Sequence, residues 1–373
     1  MKTRARNWLL IAGSLSGYTF DLLESVAALG GVDVRILYTP LDRLPSFQHE
    51  DTDGRRGRRL AWKDASWSQI RQFVREPVPD AVFVYGTQPR LKLNFALTQI
   101  PRATQVWYAA DTNILELDQH PVRTPMRRLL CAPIAARATA ALSLGPTNRR
   151  ALEALGYRRI IDLPVYAVDF AALDAAASSA GDRASEAANG EVVLLVLARL
   201  TPVKNLPGFV SAFAQDLELS RKIRLVIAGE GPDRAALEDI QRRSPSLKMQ
   251  LMGAVARQRV GALLRQADAL VLPSLVEPWG IVVVEALGMG LPVIATPVVG
   301  AAVSLAASSD AILLSDNPQP ASILAALRRF LAHRSRLAEV ARTNMPEIRT
   351  RFDRLAVAKA TLRLVYSDDD ATP

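Results

Sequence analysis

The sequence predicts an α/β fold with two parallel, doubly wound sheets, and three observations carry that prediction. From Glu191 onward a short apolar strand followed by a helix recurs six times, the rhythm of a parallel sheet with helical crossovers. The first half opens on the same plan, with strand, helix and strand between Asn7 and Tyr38. The length, 373 residues, is long for one core and natural for two.

The elements of the first half follow in order. Asn7–Ala12 is an apolar strand and Gly13–Gly17 the loop after it. The Gly-x-x-x-Gly spacing of Gly13 and Gly17 is not the dinucleotide fingerprint, which argues against a nicotinamide oxidoreductase. It suits either a backbone approach to phosphates or a tight turn with no ligand. Tyr18–Leu29 reads as a helix closed by Gly30 and Gly31, and Val32–Tyr38 as the second strand. Pro40–Arg59 is polar and charged and reads as a mobile surface loop. Ser66–Arg75 and Leu91–Ile100 are helical, and Asp80–Tyr85 lies between them as a strand. Thr104–Ala109 is a strand that delivers Ala110-Asp111-Thr112-Asn113 at its carboxyl end, the edge where open α/β sheets bind ligands. Asp111 could equally cap the next helix. Pro125–Ala141 is a basic, alanine-rich helix, Ala141–Leu144 a strand, Arg149–Leu155 a helix and Ile160–Val165 a strand. Ala171–Gly190, rich in small and polar residues, reads as a helix-to-loop linker.

In the second half, Glu191–Ala198 is a near-continuous apolar strand. Arg199 and Lys204 stand in the loop between it and the helix Leu206–Leu217. Two cations there can neutralise charge growing on a leaving diphosphate without a metal; two exposed charges on a turn are the alternative. Arg224–Ala228 is a strand, Gly229–Pro232 a turn and Asp233–Arg243 a helix. Lys248–Met252 leads as a strand to Gly253-Ala-Val255, and Ala256–Gln266 is a helix. Ala269–Leu272 is a buried strand, Ser274–Trp279 a loop, Gly280–Leu287 a helix and Pro292–Ala295 the next strand. Two acids fall here. Glu277 sits in the loop, where it could cap the helix. Glu285 lies within the helix, where it could be an ordinary solvated residue. Pro297–Ala302 reads as a loop and Ala311–Leu314 as a strand. Pro320–Ala332, Ser335–Asn344 and Arg351–Tyr366 read as helices, and Ser367–Pro373 as disordered.

Composition narrows the partners. The formal charge is +9, and arginines cluster at 55–59, 123–128, 149–150 and 158–159. A solvated basic surface, an anionic membrane or a phosphorylated acceptor all fit. Aromatics are sparse and no nucleic-acid module is visible, so nucleic acid is not expected as a partner. One cysteine, Cys131, excludes an internal disulfide and fits a reducing compartment. No apolar run approaches the roughly 20 residues of a transmembrane helix, and the N-terminal apolar run is read as a strand rather than a signal peptide. Three scattered histidines argue against a histidine metal site.

The stretch Glu277-Pro-Trp-Gly280, the eight-residue spacing from Glu277 to Glu285, and Gly290-Leu-Pro-Val-Ile-Ala-Thr296 together resemble the signature of family 4 retaining glycosyltransferases. The Arg199/Lys204 pair, the helix ending Leu155-Gly156-Tyr157 and the segment Tyr166-Ala-Val-Asp169-Phe170 add to the resemblance. It covers the second half well and the first half loosely. It departs at Tyr166, where Asn is usual, and at Ala301–Ser304, where a second glycine and an acid are usual.

The resemblance implies a GT-B fold: two facing Rossmann-like domains with parallel sheets, and a C-terminal helix crossing back to the first. The implied divisions are an acceptor-side domain at 1–170, a linker at 171–190, a nucleotide-sugar domain at 191–348 and a returning helix with tail at 349–373. It further implies a metal-independent, cofactor-free enzyme that moves a sugar from a nucleotide-diphosphate sugar to a lipid-linked, saccharide or small-molecule acceptor, in glycan or cell-envelope polysaccharide synthesis. Carried over by position, Arg199 and Lys204 hold the diphosphate, Glu277 the donor hydroxyls and Glu285 the ribose. Pro278, Trp279 and the amides of Gly280 and Ile281 complete the phosphate end, Val255 meets the base, and Gly13 and Gly17 approach the donor. Many relatives place a histidine in the first domain facing the sugar. Asp111 occupies that place here, as a hydroxyl contact or acceptor activator, and His120 is the weaker candidate. As a loop residue, Glu277 is expected to bear on turnover and not on melting temperature. The basic clusters suggest a cytoplasmic enzyme resting on an anionic membrane. A non-catalytic nucleotide-sugar-binding scaffold and a sugar-nucleotide epimerase of the same fold are the rival readings.

Overall fold

A computed structural model describes residues 6–12, 17–38, 58–62, 65–86, 91–178 and 191–366. The chain divides into two compact units. One runs to Val168 and resumes at Arg351, and the other comprises Asp169–Thr350.

The first unit is a seven-stranded parallel sheet. Its strands are β1 (Arg6–Ala12), β2 (Val32–Tyr38), β3 (Arg59–Ala61), β4 (Ala81–Tyr85), β5 (Gln105–Ala109), β6 (Ala140–Ser143) and β7 (Ile160–Asp162), in the order β3-β2-β1-β4-β5-β6-β7. Strand β1 is central and covered on both faces, so Trp8 to Ala12 are all apolar and at most 2% exposed. The helices are α1 (Gly17–Gly30), α2 (Trp67–Arg75), α3 (Leu91–Gln99), α4 (Ile114–Gln119), α5 (Arg123–Arg137) and α6 (Pro146–Ala154). The core joins Leu9, Ile11, Val82, Val84 and Tyr108 of the sheet to Ile70 of α2, Leu97 of α3 and Leu152 of α6.

The second unit opens with helix α7 (Phe170–Ser178). Its six-stranded parallel sheet comprises β8 (Val192–Leu197), β9 (Ile223–Ala228), β10 (Met249–Gly253), β11 (Ala269–Leu272), β12 (Val293–Ala295) and β13 (Ile312–Leu314), in the order β10-β9-β8-β11-β12-β13. Its further helices are α8 (Leu206–Gln215), α9 (Leu217–Lys222), α10 (Arg234–Arg243), α11 (Val260–Gln266), α12 (Ile281–Gly288), α13 (Gly300–Ala306) and α14 (Pro320–Phe352). Phe209 and Phe213 of α8 and Phe330 of α14 fill the core against Leu225, Ile227 and Val271 of the sheet. Arg349 ties this unit's ends together. It donates to both carboxylate oxygens of Asp174 at 2.7 Å, donates to the Gly288 carbonyl at 2.6 Å, and lies over the Phe170 ring.

The last helix, α15 (Arg354–Val365), belongs to the first unit and packs on α1, with Leu362 against Gly30. Asp353 caps it by accepting from the Leu355 and Ala356 amides. The Trp8 indole N–H donates to the Tyr366 hydroxyl at 2.9 Å.

Several sequence expectations are corrected here. Arg59 opens strand β3 rather than ending a loop, because its register with Ile36 adds an edge strand to β2. A separate helix α4 follows Asp111, and α9 begins at Leu217, where one helix was expected to end. Ala256–Gln266 divides into a 3-10 turn at Arg257–Arg259 and α11. The segment read as the loop Pro297–Ala302 contains the start of α13 at Gly300. The expected break between the first two C-terminal helices is present at His333, whose φ of −122° and ψ of 18° are non-helical; what differs is that the second of them runs on past Asn344 through Pro346. Proline there removes one donor, and the Arg349 contacts hold the following turn in place. Within 171–190, Ala171–Ser178 is helical, as the helix-to-loop reading expected, and it clusters with the second unit. The remainder of that stretch, Gly13, most of Pro40–Arg59 and Ser367–Pro373 lie outside the described residues.

Candidate functional site

In both sheets the winding direction reverses beside the first strand: at β1/β4 in one unit and at β8/β11 in the other. The loops at the carboxyl ends of the strands flanking such a reversal form the crevice that ligands use. In the second unit those two loops carry Lys204 and Glu277. They are 73 residues apart in sequence and form a salt bridge, with side chains only 12% and 13% exposed. Backbone bonds hold the loops in register: the Leu275 and Val276 amides both donate to the Val203 carbonyl, at 2.8 and 3.3 Å. Lys204 ends a 3-10 turn, and Asn205 takes the left-handed conformation (φ 54°) that turns the chain into α8. The Arg199 guanidinium, half-buried in the same loop, makes no hydrogen bond or ion pair with a described residue.

Beyond Glu277 the loop turns sharply. Gly280 is the N-cap of α12 at φ 86°, a conformation glycine adopts without penalty. Its neighbour Trp279 is buried, and Pro278 and Ile281 are half-buried. The Glu277 and Trp279 carbonyls accept from the Gly300 and Ala301 amides, at 3.1 and 2.8 Å, so the start of α13 braces the loop. Ala301 and Ala302 are fully buried, which accounts for small residues there. Glu285 lies one turn after Ile281 on the same face of α12 and is 2% exposed. The reading of Glu285 as a solvated helix residue is therefore excluded. Gly280, not Glu277, is the N-cap residue, but the Glu277 carboxyl lies beside Gly280 at the start of α12, so the reading of Glu277 as an acid facing the helix dipole stands beside its pairing with Lys204. The Lys204 pair gives Glu277 a tie between two loops that the sequence reading did not foresee.

Two more loops reach the same sheet edge. Gly231 sits so close to the Leu200 carbonyl that a Cβ would clash with backbone, and the Leu200 amide donates to the Glu230 carbonyl at 2.8 Å. The Arg199 loop and the turn before α10 are thus packed backbone to backbone. Val255, half-buried, follows β10.

In the first unit Asp111 follows β5, one strand beyond the reversal at β1/β4. It is not a helix cap. The cap of α4 is Asn113, whose Oδ1 accepts from the Glu116 amide at 2.8 Å. Asp111 is half-buried and its loop is pinned by a residue the sequence reading did not single out. Asn148, fully buried on α6, donates through Nδ2 to the carbonyls on both sides of Asp111: Ala110 at 2.8 Å and Thr112 at 2.6 Å. Its Oδ1 accepts from the Leu144 amide at 3.0 Å. The Tyr166 hydroxyl is held neutral well above the usual tyrosine range, first by burial, then by the charge of Asp111 and by Tyr85, and it hydrogen-bonds to Asp111. Burial likewise pushes Tyr85 up. His120 is exposed at the end of α4. Gly17 opens α1. In the sequence, Asp111 stands out by its place after a strand and Tyr166 by its departure from the resemblance, whereas nothing marks Asn148. Among the described residues no group of three or more His, Cys, Asp or Glu could hold a metal ion.

Residues 180–346 match the family "Glycosyl transferases group 1". Over 111 residues the chain is 33% identical to an alpha-monoglucosyldiacylglycerol synthase of Streptococcus pneumoniae, covering 29% of this chain and 24% of that protein. Over 153 residues it is 31% identical to a GDP-mannose-dependent alpha-(1-6)-phosphatidylinositol dimannoside mannosyltransferase of Mycobacterium tuberculosis, covering 40% and 39%. Matches of this kind span about a quarter of the length of the first such relatives. The fold is similar along nearly the whole chain to Anabaena HepE, solved in complex with UDP-glucose: TM-score 0.70, 14% identity, 96% of this chain and 99% of that one. The chain thus has the GT-B fold, and residues 180–346 within its second unit match the group 1 glycosyltransferase family.

Proposed function

We propose that this chain is a retaining, metal-independent glycosyltransferase. It moves a sugar from a nucleotide-diphosphate sugar to a lipid-linked, saccharide or small-molecule acceptor, in glycan or cell-envelope polysaccharide synthesis. The observation that carries the reading is the Lys204–Glu277 pair at the reversal point of the second sheet, with Glu285 buried on the adjoining helix. An ammonium paired with a carboxylate in a largely buried place can exchange that partner for a diphosphate. Lys204 and Arg199 then neutralise the charge that grows on the leaving group. Glu277, freed of Lys204, grips the donor hydroxyls, and Glu285 holds the ribose. Gly280 and Ile281 present their amides to phosphate at the start of α12, Pro278 and Trp279 shape that turn, and Val255 meets the base. Retention follows from front-face attack, in which the acceptor hydroxyl loses its proton to the departing phosphate and no carboxylate nucleophile is needed. Asp111 activates the acceptor or contacts a sugar hydroxyl.

The UDP-glucose bound by HepE supports a nucleotide-sugar donor, and the lipid products in the relatives' names support a lipid-linked acceptor. No helix among the described residues is long and apolar enough to cross a membrane, and we place the protein peripherally on an anionic cytoplasmic face. The test is a panel of nucleotide sugars incubated without acceptor, with and without EDTA. One nucleoside diphosphate is released, EDTA does not stop it, and the first sugar product carries the donor's anomeric configuration. Release of none, with bound donor unchanged, sinks the enzyme reading in favour of a scaffold.

A further inference from the structure

The Asn148 clamp fixes where the Asp111 loop runs, but the carboxylate sits two side-chain torsions beyond that backbone. A carboxylate that must meet one particular hydroxyl needs those torsions held as well. Tyr166 is placed to hold them. It is half-buried, it reaches Asp111 from the chain after β7, and its hydroxyl hydrogen-bonds to that carboxylate. The segment that carries it is itself anchored within the first unit. The Leu163 amide donates to the Ser143 carbonyl at 3.1 Å, the Val168 amide to the Phe352 carbonyl at 2.9 Å, and the Arg354 amide to the Val168 carbonyl at 3.0 Å. Val165, Ala167 and Val168, on either side of the tyrosine, are at most 2% exposed. Carboxylate and phenol thus come from two separately fixed stretches of chain, and the bond between them is built into the fold.

The phenol stays protonated, and so remains a donor, because burial and the neighbouring charge of Asp111 hold it well above the usual tyrosine range. A carboxylate offers about four lone-pair positions on its two oxygens, so the bond from Tyr166 leaves acceptor capacity for a substrate hydroxyl. Front-face attack sends the acceptor's proton to the departing phosphate. Of the two tasks open to Asp111, taking a proton is then not required, and contact with a sugar hydroxyl is the one that gains from a fixed carboxylate. We propose that Tyr166 is a positioning residue, whose O–H holds the Asp111 carboxylate in the rotamer that accepts from a hydroxyl of the transferred sugar. This rests on the glycosyltransferase reading above and selects between the two roles left open there for Asp111.

A double-mutant cycle of Tyr166→Phe and Asp111→Ala in the full chain tests it, read as hydrolysis of the nucleotide sugar that the wild type hydrolyses. Tyr166→Phe keeps the ring and its packing and removes only the hydroxyl. It lowers kcat roughly tenfold and leaves the Kd of the nucleoside diphosphate unchanged. In the Asp111→Ala background the same change costs less than about twofold, because no carboxylate is left to hold. Tyr366→Phe removes a different hydroxyl of the first unit, the one that accepts from the Trp8 indole N–H, and leaves turnover per folded molecule at the wild-type value. Thermal melting of each variant separates lost positioning from lost folding. A wild-type kcat in Tyr166→Phe, or a loss as large without Asp111 as with it, overturns the positioning role and leaves the glycosyltransferase reading standing. A wild type that hydrolyses no nucleotide sugar overturns both.

Discussion

The two sheets carry their acids differently. Glu277 in the second unit is paired with a cation from a neighbouring loop, whereas Asp111 in the first is fixed through the carbonyls on either side of it and faces the Tyr166 hydroxyl. A carboxylate paired with an ammonium is an exchangeable arrangement, because an incoming diphosphate can take the ammonium. A carboxylate on a loop clamped by a buried amide is pre-positioned, because the clamp fixes the backbone regardless of ligand. On the proposed function, the contrast separates a second unit whose cation can exchange its internal partner for a charged ligand from a first unit whose carboxylate loop is held still.

Removing the cation should produce the largest effect. Lys204→Met is expected to lower donor turnover by about 10²–10³-fold, the usual loss when one preorganised donor to developing charge disappears. It should also destabilise by up to about 3 kcal/mol, because it strands a largely buried carboxylate. Urea unfolding of Lys204→Met and of Lys204→Met/Glu277→Gln sharpens the point. The double variant regains most of the stability and none of the turnover. If the single variant is as stable as the wild type, the pair is not structural.

Next in size is the clamp. Asn148→Ala leaves two carbonyls and one amide without their buried partner, at about 1–3 kcal/mol for unmatched buried groups. If the clamp positions Asp111, the variant should also lower kcat towards that of Asp111→Asn while leaving the Kd for nucleotide unchanged. Equal kcat per folded molecule would make the clamp purely structural. A smaller loss is expected for Glu285→Gln: nucleotide affinity falls by roughly tenfold or somewhat more with kcat preserved, since a ribose is held alike in ground and transition states. Calorimetric titration with the nucleoside diphosphate reads this.

The smallest effect concerns a surface pair outside both clusters. Arg149 donates to Asp162 at 2.8 Å, and although partial burial opposes it, the bond and charge of Arg149 lower the Asp162 pKa. A depressed carboxylate contributes stability that is present above its unfolded pKa and is lost as pH falls through its folded value. Asp162→Asn should therefore narrow the gap between the melting temperatures at neutral and acid pH, by less than about 1 kcal/mol for a pair this exposed. An unchanged pH profile shows that the pair contributes nothing.

The sequence made the second site's residues legible because they sit in dense local runs, and their strands are apolar throughout. What it hid was topology. That β8 and β11 are neighbours, and hence that Lys204 meets Glu277 across 73 residues, follows from the order of winding and from no local signal. Strand β3 and helices α4, α9 and α13 escaped because each is short and fixed by its neighbours: the register with β2, the Asn113 cap, the Asp216 cap and the Glu277 loop. Asn148 escaped because asparagine near a helix start ordinarily caps it. Here its side chain reaches another loop instead.

The central claim is that the Glu277 carboxylate serves the donor. Turnover per folded molecule of Glu277→Gln, measured with the nucleotide sugar the wild type hydrolyses and alongside its thermal melt, tests this most directly. A charged hydrogen bond lost at the transition state is worth about 1.5–3 kcal/mol, so the rate should fall roughly ten- to a hundred-fold, beyond anything a lowered melting temperature explains. A rate equal to the wild type's, in a protein that melts earlier because Lys204 has lost its partner, would contradict the claim and leave the pair as a structural tie between two loops.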